Sequence, residues 1–572
     1  MASQDTDLRQ RLGNEVSAES NVDERCASCN RNLNQPDGVT LNRNGSNISE
    51  WSFDNDVEKD STFMRIREAA QRVRSDFVEQ LDDRLGQLLD GFMDELDKTA
   101  DKESQSNAKT KRHHPLEAKV FVPRESLLTQ LLVNKNIQTI YNIFVAILIV
   151  FMLNNIVSEI IETGSFAFDF KLIRWCFGKF PIVMWTWCMM MLWTMAIVFA
   201  TFQYWARHRH HLQHKVPDVV WLVCYIASQV IFLVYPIHVI VINNLPPASS
   251  IVITAEQTRL MMKMHAFVRE NVPRALEWTP PKDEANSTSP RNGVIHNQRS
   301  AAVDDIKKTT TEDRPCPDFS QFLYFLFAPT LIYRDSYPMT PKVRWDVVRT
   351  NLAQVLGCLF YTYYIFDSYC VPVFRNFGKE KLTLENITLC VFGCMLPGTL
   401  MLILAFFAIL HSWLNAHAEM LRFADRQFYK DWWNSKSFSN YYRSWNVVVH
   451  DWLYSYVYRD CQLVGLGRGA SMVIVFLISA IFHEYIIILA MQFFYPVLFV
   501  MFGCIGLCFL FLTEKGASRS WNVFFWVSLF IGNGLLMCLY SQEWFARKNC
   551  AIEVTTWWDY ITPLSWYCNV TE

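Results

Sequence analysis

ASMVIVFLISAIFHEYIIILAMQFF, residues 470–494, decides the class of this protein. A run of roughly 20 apolar residues is what a helix needs to cross a bilayer core of about 30 Å. Within the run stand His483 and Glu484. Ionisable groups at that depth are costly and face a protein interior or a water path. On a helix the two point about 100° apart, so one small cavity cannot use both equally. Ser479, four residues before His483, shares its face. The plain structural alternative is a histidine satisfied by a neighbouring carbonyl. A proton relay in a transporter or channel is another; internal repeat symmetry would favour it, and the sequence shows none.

Reading outward, similar apolar runs lie at about 139–161, 181–203, 217–243, 350–374, 388–412, 494–513 and 521–541. With the run around His483 (471–493) they make eight clear spans. The charged fraction is 19%, below the quarter or so of a soluble domain, and the first ~120 residues hold much of it. The stretch IVITAEQTRLMMKMHAFVRENVPRALE after Ser250 is amphipathic and too polar to face lipid. It either lies flat or crosses with its polar face against a protein cavity. Residues 279–318 read as a solvated linker. Net charge is −2, so nothing points to nucleic acid as a partner.

The N-terminus, MASQDTDLRQ, has no apolar h-region, so insertion is expected to start from an internal span. Residues 1–60 have a disordered composition. Ile66, Ala70, Val73, Phe77, Leu81, Leu85, Leu88, Phe92 and Leu96 then recur in steps of three and four, an apolar stripe on one helix over 62–97. Self-association buries such a stripe; lying on the membrane surface is the alternative. Cys26 and Cys29 form a CxxC without a second Cys/His pair nearby, which argues against zinc. His208, His210, His211 and His214 read as a solvated basic loop rather than a metal site. Basic clusters at 109–114 and 207–215 flank the first two spans and can both be cytosolic. The basic loop with Arg375, Lys379 and Lys381 conflicts with the orientation that follows.

Residues 413–468 read as a long loop rich in Trp, Tyr, His and Asn. Trp432, Trp433, Trp445 and Trp452 fit an interfacial belt, but a belt leaves the interleaved polar residues unexplained. Asn446 and His450 form an i, i+4 pair on the expected helical run WNVVVHDWLY and can project from one face. A histidine base removes a hydroxyl proton, and a neutral amide stabilises the oxyanion on an attacked carbonyl. No G-x-S-x-G elbow stands in suitable context, which disfavours a serine acyl-enzyme.

At these residues the chain resembles the membrane-bound O-acyltransferase family, and within it the sterol O-acyltransferase branch. FYKDWWN, with Phe428, Tyr429, Asp431, Trp432, Trp433 and Asn434, matches a signature shared by the sterol and diacylglycerol enzymes. YRDSYPMTPKVRW (333–345), NYYRSWNVVVHDWLY (440–454), SAIFHEY (479–485) and SQEWFARKNC (541–550) look like the sterol branch. The likeness covers about 120–572. It implies an all-α, polytopic membrane fold of about nine transmembrane helices, with a polar cytosolic N-terminal region (1–120) and a membrane-embedded acyltransferase domain (121–572).

The resemblance implies further that His483 and Asn446 are catalytic. It implies that Asn440, Arg443, Asn446, His450, Tyr458, Arg468 and Ser479 line the acyl-CoA path, although GLGRGA around Arg468 departs from the family's usual run. The reaction it implies moves a long-chain acyl group from acyl-CoA, a co-substrate, to the hydroxyl of cholesterol or a related sterol. No permanently bound cofactor and no metal are expected. Diacylglycerol or a peptide group are the rival acceptors. The setting is the endoplasmic reticulum membrane, with membrane lipid as a partner and a homo-oligomer (dimer or tetramer) as the assembly. Nine spans, with 251–278 as the extra one, place the C-terminus in the lumen, where Cys550 and Cys568 form a disulfide.

Overall fold

Apolar runs become helices because a chain in lipid must satisfy every backbone polar group within itself. The computed structural model describes residues 119–164, 170–209, 216–278, 314–375, 377, 383–512, 520–550, 556 and 558–566. The stripe over 62–97, Cys26, Cys29, His210, His211, His214 and Cys568 lie outside them. All described residues belong to one unit, Pro115–Glu572.

The main helices are numbered in chain order. α1 is Lys135–Thr163, started by Asn134, whose side chain accepts from the Asn136 amide, and stopped by Gly164 at φ 74°. α2 runs through Phe180–Leu192, a π-helical segment Trp193–Phe199, and Ala200–His208. α3 is Val216–Ile242, α4 Pro247–Glu277 and α5 Phe319–Phe327. α6 is Trp345–Ile365, continued through Phe366–Cys370 and Val371–Phe374. α7 is Leu384–Ala405, continued through Phe406–Trp413 and Leu414–Met420. α8 is Phe438–Trp445. α9 is Val447–Leu453, continued through Tyr454–Tyr458 and Arg459–Leu463. α10 is Arg468–Met491, α11 Phe499–Leu512 and α12 Ser520–Asn549. Among the described residues β-structure is limited to two isolated bridges, Arg124 with Asp425 and Met339 with Phe423.

Six described helical stretches are long and apolar enough to cross a membrane: Lys135–Ser158, Lys171–His208, Val216–Ile242, Leu384–Met420, Arg468–Met491 and Ser520–Asn549. The expected spans at 350–374 and 494–513 are helical, in α6 and α11, but fall outside that set. α11 is too short, and α6 carries Arg349, Asn351 and Asp367 among its apolar residues. The reading of 413–468 as a loop is corrected. α7 continues to Met420, and α8 and α9 fill most of the remainder.

The polar side of α4 turns toward protein. Pro236 inside α3 has no N–H for the carbonyl of Phe232. Gln257 of α4, fully buried, donates from Nε2 to the carbonyls of Phe232 (2.9 Å) and Leu233 (2.8 Å). Its Oε1 accepts from the Tyr485 hydroxyl of α10 at 2.7 Å. Arg259 donates to the Leu326 carbonyl at 2.8 Å, and buried Lys263 donates to the carbonyls of Phe325 and Ala328. Two basic side chains thus close the C-terminal end of α5, where unpaired carbonyls collect. α4 is amphipathic because its polar side chains bond neighbouring helices.

α7 and α12 pack closely against each other. A Cβ added at Gly534 would stand 2.6 Å from the Val391 carbonyl oxygen, and one at Gly398 3.3 Å from that of Asn533. Small residues let backbones approach in this way in membrane bundles.

Candidate active site

His483 lies on α10 and is exposed rather than packed among apolar side chains. Its Nδ1 is 2.7 Å from the Ser479 carbonyl oxygen. A carbonyl only accepts, so Nδ1 carries a proton, and in the neutral imidazole Nε2 presents the lone pair. The carbonyl bond of the structural alternative is therefore present, and it fixes the tautomer that a general base needs. Phe502 of α11 stands beside the imidazole, with ring centroids 5.3 Å apart.

Glu484 does not share this environment. It is 5% exposed, and its carboxylate accepts from the Tyr540 hydroxyl (3.0 and 3.1 Å) and the Phe499 amide (2.8 Å). A relay through adjacent ionisable groups would need both on one path; here one joins α11 and α12 and the other is open.

Asn446 does not lie within the helix that carries His450; it stands one position before that helix, and its carbonyl accepts from the His450 amide at 3.0 Å. Asn446 sits between α8 and α9 with φ −136° and ψ 89°, as the N-cap of α9. Its side-chain oxygen accepts from the Val449 amide at 3.1 Å. That bond orients the side chain and leaves Nδ2, the donor, without a partner among the described residues. An amide needed for donation is thus held by its other end. Asn446 and His483 make no direct hydrogen bond. The segments carrying them meet through Tyr442 of α8, whose ring lies 4.7 Å from Phe476 of α10 and 5.2 Å from Phe502 of α11.

The FYKDWWN residues are mostly internal. Phe428, Tyr429 and Trp432 are at most 2% exposed, whereas Asp431 and Asn434 are exposed. Trp432 packs on Trp445 (4.6 Å), Phe406 (5.1 Å) and Trp526 (5.7 Å). The Trp433 carbonyl accepts from Asn522 (3.0 Å) and Trp526 (3.1 Å) of α12. The Phe428 carbonyl accepts from the Val447 amide at 2.9 Å. The motif therefore braces the chain beside Asn446 against α7 and α12. Trp452 donates to the Met262 carbonyl of α4 at 2.9 Å. Trp432 belongs to a protein core and Trp452 to a helix contact, which corrects the interfacial-belt reading.

The other candidate residues fall into three groups. On α8, Arg443 is exposed, and Asn440 donates to the Ser435 hydroxyl at 3.2 Å. On α9, His450, Tyr454 and Tyr458 stack in a ladder, at 6.5 Å and then 5.6 Å. Next to His450, burial pushes the Asp451 carboxyl up, but hydrogen bonds from His450 and Lys119 outweigh it and hold it below its usual range. On α10, Ser479 acts through its carbonyl, and Arg468 is exposed at the first position of the helix. Phe502, Tyr442 and Tyr540 were missed by sequence reasoning. The only signal was Gly503 and Gly506 in VMFGCIGLCF, small residues one helical turn apart.

Near the C-terminus Cys550 is disulfide-bonded, and its partner lies outside the described residues. The tail folds back on α12: fully buried Glu543 accepts from the amides of Leu564 (2.9 Å) and Ser565 (3.0 Å).

The family model of MBOAT, the membrane-bound O-acyltransferase family, matches residues 170–542. The chain is similar to Sterol O-acyltransferase 1 of Mus musculus, 46% identical over 473 residues that cover 81% of each chain. It is also similar to Sterol O-acyltransferase 2 of Mus musculus, 41% identical over 512 residues, covering 87% of this chain and 91% of the relative. Sterol O-acyltransferase 2 of Homo sapiens is 40% identical over 512 residues, with the same coverage.

Proposed function

The chain belongs to the membrane-bound O-acyltransferase family, and we infer that it is an acyl-CoA:sterol O-acyltransferase, a multi-pass membrane enzyme that esterifies a sterol hydroxyl. The observation that carries the site assignment is His483, with Nδ1–H bound to the Ser479 carbonyl and Nε2 open. In this reading Nε2 takes the sterol hydroxyl proton as the oxygen attacks the thioester carbonyl. Asn446 Nδ2 donates to the oxyanion that forms. The intermediate collapses, the C–S bond breaks, and the CoA thiolate leaves with the proton from the imidazolium. The products are a sterol ester and free CoA. Asn440, Arg443, His450, Tyr458, Arg468 and Ser479 are proposed to line the acyl-CoA path, the exposed arginines meeting its phosphates. Purified protein given labelled oleoyl-CoA and a panel of acceptors is expected to esterify sterol. Preference for diacylglycerol would overturn the reading.

The assembly and setting are proposals of the same kind. The enzyme is placed in the endoplasmic reticulum membrane as a homo-oligomer, with the stripe over 62–97 holding copies together. Removal of residues 1–100 is expected to shrink the particle on size exclusion and leave some catalysis, since the candidate catalytic residues lie after 400. An unchanged particle would make the stripe a membrane-surface element.

Cys568 is the proposed partner of Cys550, in a lumenal C-terminal tail. The grip of Glu543 on Leu564 and Ser565 returns the tail toward α12 and favours closure. The bridge is worth about 3 kcal/mol to the folded tail in the chain-entropy model, and it forms only in an oxidising compartment. Non-reducing digestion after thiol blocking is expected to yield the linked Cys550–Cys568 peptide by mass. A blocked Cys568 from native membranes would refute both the pairing and the lumenal tail.

A further inference from the structure

Glu484 is a buried carboxylate that the acid–base scheme does not use. Among the described residues it meets no arginine or lysine and accepts from the Tyr540 hydroxyl and the Phe499 amide. Val497 and Leu498 are already helical ahead of Phe499, and Pro496 before them, whose carbonyl accepts from the Val500 amide, has no side-chain acceptor to cap this first turn. The first amides of a helix have no partner within it, and a negative group there is favoured by the helix dipole. Glu484 supplies that acceptor from a different helix. Tyr540 completes the latch: its oxygen accepts from the Leu498 amide at 2.9 Å while its proton goes to the carboxylate. One side chain of α10 therefore fixes the start of α11 and a point on α12 together.

The latch bears on His483 by two routes. Glu484 is the next residue on α10, so anchoring it fixes the rotation of the turn that presents the imidazole. It also fixes α11, whose Phe502 stands beside that ring. The approach of α11 leaves little slack. A Cβ at Gly503 would lie 3.1 Å from that of Ala480, and one at Gly506 2.7 Å from the Tyr442 hydroxyl. Phe502 in turn stacks on Phe476 of α10, 5.2 Å away and 17° from parallel. Movement at the start of α11 would be transmitted to the wall beside Nε2.

We propose that Glu484 is a positioning residue for acyl transfer: it caps α11 from α10 and so holds Phe502 against the His483 imidazole. The proposal rests on the reading of His483 as the base. A displacement of about 1 Å at a reacting group costs on the order of 100-fold in rate.

The test is steady-state ester formation by the purified full-length enzyme with oleoyl-CoA and cholesterol. Glu484→Ala is expected to lower kcat by about 10–100-fold while the KM for oleoyl-CoA stays within about 2-fold. Glu484→Gln keeps an acceptor oxygen and should recover kcat to within about 5-fold of the unsubstituted enzyme. Adding Phe502→Ala to Glu484→Ala should cost no more than about a further 2-fold, because both act through one wall. Should Glu484→Ala fail to fold, Tyr540→Phe takes its place, with a smaller kcat loss and the same non-additivity with Phe502→Ala. Full activity in Glu484→Ala or Tyr540→Phe, a glutamine variant as slow as the alanine one, or losses that multiply in the double variant would each overturn the proposal. His483→Ala is run beside them. If it is active, the base assignment has failed; if it is inactive while Glu484→Ala is unimpaired, only the latch has failed.

Discussion

His483→Ala is expected to assemble normally, bind acyl-CoA and form almost no sterol ester. A general base contributes about 10²–10⁴-fold, and among the described residues no other base is hydrogen-bonded to His483 to replace it. Glu484, the nearest ionisable group in sequence, is committed to Tyr540 and Phe499. Retention of more than about a tenth of normal turnover would show that the Ser479 bond is the whole role of the histidine. The partner experiment uses Asn446, and the cap dictates which substitution is informative. Asn446→Ala removes the proposed oxyanion donor and the acceptor for the Val449 amide together, and loss of a cap costs about 1 kcal/mol. Asn446→Asp keeps the cap, because aspartate serves at that position as well as asparagine, but it removes the amide donor and adds negative charge. It should lower kcat by about 10²–10³-fold with acyl-CoA binding nearly unchanged. Loss of binding without loss of turnover would move Asn446 from the reacting carbonyl to the acyl-CoA path.

The histidine was legible in the sequence because an apolar run makes any ionisable residue conspicuous. Its tautomer was not, since that depends on the i−4 carbonyl reached only once α10 has formed. Glu484 was visible and unassigned: its partners lie 15 and 56 residues away and leave no periodic trace. The polarity of α4 was visible too, and it argued for a protein-facing helix. What it could not show was that Gln257 answers the carbonyl freed by Pro236, or that Lys263 and Arg259 close α5. The region after residue 412 was misread as a loop for a related reason. Its helices are short and aromatic on several faces, because Trp432, Trp445 and Tyr441 bury themselves among α7, α8 and α12. A helix packed on many sides shows no single stripe. The hydropathy of α7 falls at HSWLNAHAEM, but the helix continues because those polar residues are buried with partners. His411 Nδ1 lies 2.7 Å from the Tyr429 hydroxyl, and Asn415 donates to the Ser126 hydroxyl at 3.1 Å.

The same end of α7 carries the second large expected effect. Glu419, fully buried, accepts from Arg344 through the backbone amide (2.8 Å), Nε (3.1 Å) and Nη2 (2.8 Å). It also pairs with Arg426, itself 2% exposed, at 2.7 Å. Glu125 reaches Arg344 at 3.0 Å and Arg426 at 3.3 Å from the other side. Removing one member of a buried pair leaves the other charge unmatched, at a cost of about 3–5 kcal/mol, well above the net worth of the pair. Glu419→Ala should therefore lower the thermal midpoint of the detergent-solubilised enzyme sharply. Arg314→Ala, which breaks the exposed pair with Asp318, should leave the midpoint nearly unchanged. The damage should also reach the active site. Arg426 leads directly into FYKDWWN, and the Phe428 carbonyl holds the Val447 amide next to Asn446. Surviving Glu419→Ala should accordingly turn over more slowly even at temperatures where it is folded. The decisive comparison is the double variant Glu419→Leu with Arg426→Met. It removes both buried charges and leaves Arg344, 41% exposed, its contact with Glu125. If the unmatched charge on Arg426 is what makes the single substitution costly, the double variant unfolds at a higher temperature than Glu419→Ala. A double variant less stable than either single one would mean that the hydrogen bonds from Glu419 to Arg344, and not the charge on Arg426, hold this end of α7 in place.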